Sequence, residues 1–194
     1  MKRKFKKYLK LATLIISLLI LYKLTPLQED ITYNSLQNDS LNNLNEITRI
    51  ENENFVKVLV SRIVDGDTIE IIMNSEKYKV RFIGVNCPEY TSKIEEYGKE
   101  ATEYTKNALF NKYVYIEKDV SETDKYGRLL RYIWLDIPTS ITENEIRTKM
   151  FNAKLLIDGY AQVSTYPPDV KYVDYFKSLQ REAKNNNVGL WNKK

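Results

Sequence analysis

Residues 55–83 read FVKVLVSRIVDGDTIEIIMNSEKYKVRFI. Apolar and polar residues alternate from Phe55-Val56-Lys57-Val58 into Leu59-Val60, the pattern of a half-buried strand. Asp65-Gly66-Asp67 supplies a turn, and the apolar pattern resumes over 68–73. Asn74-Ser75-Glu76 is a second turn, and 78–83 is a third strand. Further along, Ala101, Tyr104, Thr105 and Ala108 recur at spacings of three and four, which predicts a helix over 96–109. Strands are predicted at 113–117 and 129–135, with Asp124-Lys125-Tyr126-Gly127 as the turn before the second. Two more helices fit 145–158, closed by Gly159, and 172–185. Five short strands, with a helix after the third and more at the end, predict an α+β fold: a five-stranded OB-type barrel with about three helices. Strands and helices do not alternate regularly, which argues against a doubly wound sheet.

The 194 residues contain no histidine and a single cysteine, Cys87. A histidine general base, a histidine zinc site, an intrachain disulfide and a CxxC motif are therefore all excluded. Catalysis must rest on carboxylates, Arg/Lys, Tyr, Ser/Thr or a hard metal ion. The net charge of +4 is a poor guide to partners. Residues 1–23 carry seven basic and no acidic side chains, 24–54 carry one Arg against six Asp/Glu, and 55–194 carry 22 Lys/Arg against 20 Asp/Glu. The basic character belongs to the N-terminus.

That basic start precedes twelve uncharged, mostly Leu and Ile residues at 11–22, the shape of a signal-peptide h-region behind a positive n-region. The run is short for a bilayer span, and no A-x-A-like site follows it. Residues 1–24 are read as a signal peptide or membrane anchor. The flanking cations place the rest of the chain outside the cytoplasm, secreted or anchored to the outer face of the cytoplasmic membrane. Residues 25–54 are polar, acidic and Asn-rich, and are read as a linker of low structural content with room for a short helix over 40–50. Residues 55–194 suffice for one small core.

Three clusters carry chemistry. Asp65-Gly66-Asp67-Thr68 alone is an ordinary hairpin turn, and so is Asp124-Lys125-Tyr126-Gly127-Arg128. Between them, Arg81 lies on a strand, and Asn86 and Glu89 follow on a loop stiffened by Pro88. An arginine, a metal-capable oxygen and a carboxylate within nine residues suit attack on a phosphodiester, although a solvated strand end would look the same.

Together these clusters resemble the staphylococcal thermonuclease family. The likeness runs through VDGDT at 64–68, VRFIGVNCPE at 80–89, YGKEA at 97–101, DKYGR at 124–128, KMFNAKLLIDGYA at 149–161 and GLW at 189–191. It implies an OB-fold barrel and a calcium-dependent hydrolase of DNA and RNA, endonucleolytic, leaving 3′-phosphate products. It further implies metal ligation by Asp67, by Asn86 where the family most often has Asp, and by the backbone carbonyl of Cys87, with Asp65 supporting the ion through water. Glu89 falls on the carboxylate that positions or deprotonates the attacking water. Arg81 and Arg128 fall on the guanidinium groups that hold the phosphate, and Lys125 and Tyr126 on residues that line the nucleotide site. A monomer is expected, with nucleic acid as its substrate and the membrane as a partner wherever the N-terminal segment is retained.

The physical chemistry agrees. A phosphodiester anion repels hydroxide, and its pentacoordinate transition state gathers negative charge that two Arg forks and a divalent cation oppose. Calcium accepts oxygen ligands, so Asp, Asn and a carbonyl are all admissible. Two departures from the family stand out. Asn86 brings a neutral oxygen where Asp would bring charge, and VSTYPPD at 163–169 aligns poorly, leaving Tyr166 without an assigned role. Of the twelve tyrosines in 55–194, only Tyr126 is singled out for the site. The same barrel also serves as a non-catalytic nucleic-acid-binding module, and a tethered interaction domain is a third reading. Retention of Arg81, Glu89 and Arg128 argues against both, because binding alone needs no water-positioning carboxylate beside a phosphate.

Overall fold

Val58, Val60, Ile69, Ile71, Val80 and Phe82 alternate with less buried neighbours along three strands, and none is more than 1% exposed. A two-residue period turns all six toward one interior. The strands are β1 (Phe55–Asp65), β2 (Thr68–Met73) and β3 (Glu76–Phe82), paired antiparallel in sequence order. Asn74 and Ser75 both take positive φ (52° and 66°), the conformation that a two-residue hairpin loop between twisted strands requires. Register shifts after Val60 and after Ile63 bend the long β1, so that its far edge also pairs with β5 (Tyr113–Glu117). Strand β6 (Leu129–Trp134) runs parallel to β3 and antiparallel to β5, which closes a barrel in the order β1-β2-β3-β6-β5. This computed structural model describes residues 13–18, 54–91 and 93–192. The five-stranded α+β architecture expected from the sequence is the one found.

Helix α1 (Gly98–Leu109) buries Ala101, Thr105 and Leu109, while Tyr104 and Ala108, the other two residues whose spacing predicted it, are partly buried against the core. The helix also holds the β1–β2 turn. Thr105 Oγ1 donates to the Gly66 carbonyl at 2.6 Å, and Thr102 Oγ1 donates to Asp65 Oδ1 at 3.1 Å. A Cβ on Gly66 would lie 2.8 Å from Cys87 Cβ and 3.1 Å from that of Ala101, so only glycine lets this turn sit against both.

The single helix expected over 145–158 is two: α2 (Glu143–Lys149) and α3 (Phe151–Ile157). Met150 between them is extended (φ −86°, ψ 121°) and fully buried. The break frees the Lys149 carbonyl to accept from Leu135 N at 2.8 Å, and it brings Met150 into a bridge with Trp134. Pairing with the end of β6 outweighs one more helical turn. Helix α4 (Val173–Asn185) buries Phe176, Leu179 and Ala183. The described residues from 54 onward thus hold four α-helices and one 3-10 turn, Gly189–Trp191, where about three helices were expected.

A two-residue ladder outside the barrel pairs β4 (Val85–Asn86) with β7 (Gln162–Val163). Buried Asn152 anchors the nearby backbone, donating to the Ile83 carbonyl at 2.9 Å and accepting from Ile133 N at 2.8 Å. Residues 13–18 are helical, and among the described residues no helix is long and apolar enough to cross a membrane. Apart from Asn54, the linker at 25–54 and the short helix considered at 40–50 lie outside the described residues.

Candidate functional site

Register carries the first residues together. Asp65 ends β1 opposite Thr68, and Thr68 lies opposite Arg81 on β3, so the turn residue Asp67 faces the guanidinium. Arg81 Nη2 stands 3.0 Å from Asp67 Oδ2 and donates to Asn86 Oδ1 at 2.9 Å, while Nη1 donates to the carbonyls of Phe82 and Val85 at 2.7 and 2.8 Å. Four protein acceptors thus orient this arginine through its two Nη groups. Asp67 also accepts from Cys87 N (2.7 Å) at Oδ2 and from Thr68 Oγ1 (3.0 Å) at Oδ1.

Glu89 follows on the loop after β4. Its Oε1 accepts from Thr91 N at 3.1 Å and from the Thr91 hydroxyl, and reciprocal bonds between residues 89 and 95 close the loop (Glu95 N to Glu89 O 2.9 Å, Glu89 N to Glu95 Oε2 3.1 Å). Burial and a hydrogen bond with the Glu89 carboxyl push Asp65 up to about 6, despite the Gly66 N–H that donates to it. The Asp65 and Glu89 carboxyls thus lie within hydrogen-bond reach of one another at the cleft.

The turn at 124–128 lines the same cleft. Asp124 Oδ1 accepts from Tyr126 N and Arg128 N at 2.9 and 3.0 Å, and its Oδ2 lies 2.6 Å from both Nε and Nη2 of Arg128. Burial opposes ionisation of Asp124, but these bonds outweigh it and hold the carboxyl below its usual range. Gly127, with φ 78°, lets the chain reverse. Tyr126 is 72% exposed, with Lys125 Nζ 5.0 Å and Arg128 Cζ 5.5 Å from its ring centroid.

All nine residues singled out in the sequence line one cleft of about 950 Å³. Tyr166, left without a role in the sequence, is also on its walls, and sequence reasoning missed Lys79, Thr91, Glu95, Ser164 and Asp169 there. Tyr166 is 75% exposed, and its turn is held by Asp169, whose Oδ1 accepts from Val120 N at 3.0 Å and Ser121 N at 2.8 Å. Lys79 could have been found from its spacing, two residues before Arg81 on the same strand face, and Thr91 from its position two residues after Glu89. Nothing local in the sequence signals the Asp169 contact, which spans about fifty residues.

Six carboxylates line the cleft against four Lys/Arg side chains, a surplus of negative charge in a place that would receive a polyanion. A divalent cation would remove that surplus. Among the described residues no three His, Cys, Asp or Glu side chains gather closely enough to hold an ion by themselves. An ion would therefore draw on the Asp67 carboxylate, the Asn86 side-chain oxygen and the Cys87 carbonyl, with Asp65 beside them. Burial pushes the Cys87 thiol well above its usual range, so its sulfur stays protonated and unsuited to ligation. An all-oxygen donor set next to crowded carboxylates fits a hard cation such as calcium or magnesium.

A family model described as "Staphylococcal nuclease homologue" matches residues 79–193. The chain is 38% identical over 136 residues to the thermonuclease of Staphylococcus intermedius, covering 69% of this chain and 74% of that protein. It is 36% identical over 143 residues to the thermonuclease of Staphylococcus hyicus (72% and 77% covered). It is 34% identical over 143 residues to the endonuclease YncB of Bacillus subtilis (71% and 63% covered).

Proposed function

The chain belongs to the staphylococcal nuclease family, and from that premise, which makes it a nuclease, we propose that it is a calcium-dependent endonuclease of DNA and RNA that leaves 3′-phosphate ends. The observation that carries this reading is one cleft in which two arginines and a loop carboxylate face an all-oxygen donor set.

Asp67, Asn86 and the Cys87 carbonyl would hold the ion, with Asp65 supporting it. A bound calcium supplies positive charge against the growing negative charge of the phosphoryl oxygens. The protein's own residues do the rest. Arg81 and Arg128 hold the non-bridging oxygens, and each is fixed beforehand by a carboxylate, Asp67 or Asp124, so little reorganisation is left for the reaction. Glu89, its Oε1 pinned by Thr91, orients a water and takes its proton as the oxygen bonds to phosphorus. The bond to the 5′ oxygen breaks, that oxygen takes a proton from solvent, and the phosphate remains on the 3′ side. Tyr126 offers a face on which a base can stack.

The test is incubation of the full chain with end-labelled DNA and RNA, with calcium and then with excess chelator. Cleavage of both polymers with calcium, its loss with chelator and recovery on adding calcium back are expected. Persistence in chelator would remove the metal from the mechanism, and 5′-phosphate ends would overturn the assigned bond cleavage.

The seven cations before the apolar run at 11–22 support a nuclease domain outside the cytoplasmic membrane, secreted or held by its N-terminus. Protease added to intact cells should remove the tethered protein, while a cleaved form should appear in the medium. Full-length protein that survives such treatment inside the cells would contradict this placement.

A further inference from the structure

Arg81 and Arg128 together account for one phosphate, but a nucleic acid presents one at every nucleotide. On β3 the side chains of Lys79 and Arg81 share the outward face, because Val80 and Phe82 between and beyond them point into the barrel. Two residues along a strand separate their Cα atoms by ~6.8 Å. In the parallel pairing of β3 with β6, Val80 lies opposite Leu129 and Arg81 opposite Leu130, so the same register sets Lys79 alongside Arg128. Lys79 is exposed and lines the same cleft.

Its charge is uncommitted. The carboxylate opposite it on β2 is Glu70, which lies 3.4 Å from Lys77 Nζ and also accepts from the Ser61 hydroxyl. Among the described residues no carboxylate stands within ion-pair distance of Lys79, whereas Arg81 and Arg128 each have one. A cation one pleat beyond the scissile-phosphate arginines, facing the cleft and free of a carboxylate, has the position and charge to meet the next phosphate of a bound strand. We propose that Lys79 forms a subsite for the phosphate neighbouring the scissile one, so that the cleft grips a polynucleotide more tightly than an isolated phosphodiester. The proposal rests on the nuclease reading above and adds a substrate-length preference to it.

The test compares a short single-stranded oligonucleotide with a nitrophenyl ester of a nucleotide that has one phosphodiester and no neighbouring phosphate. In the full chain, Lys79→Gln should raise KM for the oligonucleotide about fivefold at low salt and leave kcat within about twofold. It should also flatten the log–log dependence of kcat/KM on salt by ~0.7, the share of one phosphate contact on a single strand. The single phosphodiester should be cleaved as by the wild type, Lys79→Arg should restore the oligonucleotide KM, and Lys57→Gln on β1 should change neither substrate.

An unchanged oligonucleotide KM and salt slope in Lys79→Gln would overturn the subsite. So would an equal loss on both substrates, which would place Lys79 at the scissile phosphate or in the fold. A wild type that cleaves neither substrate fails the nuclease reading instead. Binding of a labelled oligonucleotide in excess chelator then gives the same salt-slope comparison without turnover, and an unaltered slope there overturns the subsite independently.

Discussion

Glu89→Gln is expected to lower kcat by about a thousandfold, within the range by which positioned acid–base groups accelerate proton transfer, with KM changed by no more than a few-fold. Gln keeps the length and shape of Glu and an oxygen for the Thr91 N–H and hydroxyl, so the loop should hold its course. What it loses is the charge that takes a proton from water. Burial, the larger cause of the raised Asp65 proton affinity, stays in place, and loss of the Glu89 carboxyl should lower that affinity only part of the way toward the ordinary range. Any gain in cation binding from that relief would act against the loss of turnover, so rates must be compared at saturating calcium. Steady-state kinetics on one labelled oligonucleotide, with oligonucleotide binding measured separately, separates the two effects. A kcat within tenfold of wild type would remove Glu89 from proton transfer, and a collapse of binding with turnover retained would make it a substrate contact instead.

The barrel was legible because six inward side chains repeat at a period that only strands satisfy, and because turn residues stand where the strands end. The helix break at Met150 was not legible. Residues 145–158 read as one helix across it, and what decides the break is a carbonyl claimed by Leu135 N from another element. The ladder of β4 with β7 is two residues long, too short for any period to register. The candidate site divides in the same way. Asp65, Asp67 and Arg81 meet through strand register, which local pattern implies. Asp124 was read as a turn residue only. It fills that role and also fixes the Arg128 guanidinium, because both its oxygens are used, one for the turn backbone and one for the side chain. Tyr166 reaches the cleft because Asp169 ties its turn to the backbone at 120 and 121, a long-range contact with no local signature.

Asn86→Asp is expected to lower the calcium concentration for half-maximal cleavage about tenfold, since ligand charge is one determinant of calcium affinity and a tenfold change needs only ~1.4 kcal/mol. The structure sets two influences against each other at this position. Arg81 Nη2 already donates to Asn86 Oδ1 at 2.9 Å, and a carboxylate there would hold the guanidinium harder, opposing an incoming ion. On the other side, Asn86 Nδ2 lies 3.3 Å from the Cys87 carbonyl, and Asp, which lacks that amide, leaves this carbonyl free for the metal. Arg81 has a single positive charge and keeps its contacts to Asp67 and two carbonyls, whereas calcium has two charges and gains both the carboxylate and the carbonyl. The ion should therefore win. Calcium titration of cleavage and calorimetric titration of the metal alone, at fixed pH and ionic strength, should shift together. If the half-maximal concentration is unchanged or rises in Asn86→Asp, Asn86 does not ligate the ion, and Asp67, the Cys87 carbonyl and water must hold it while Asn86 serves to orient Arg81.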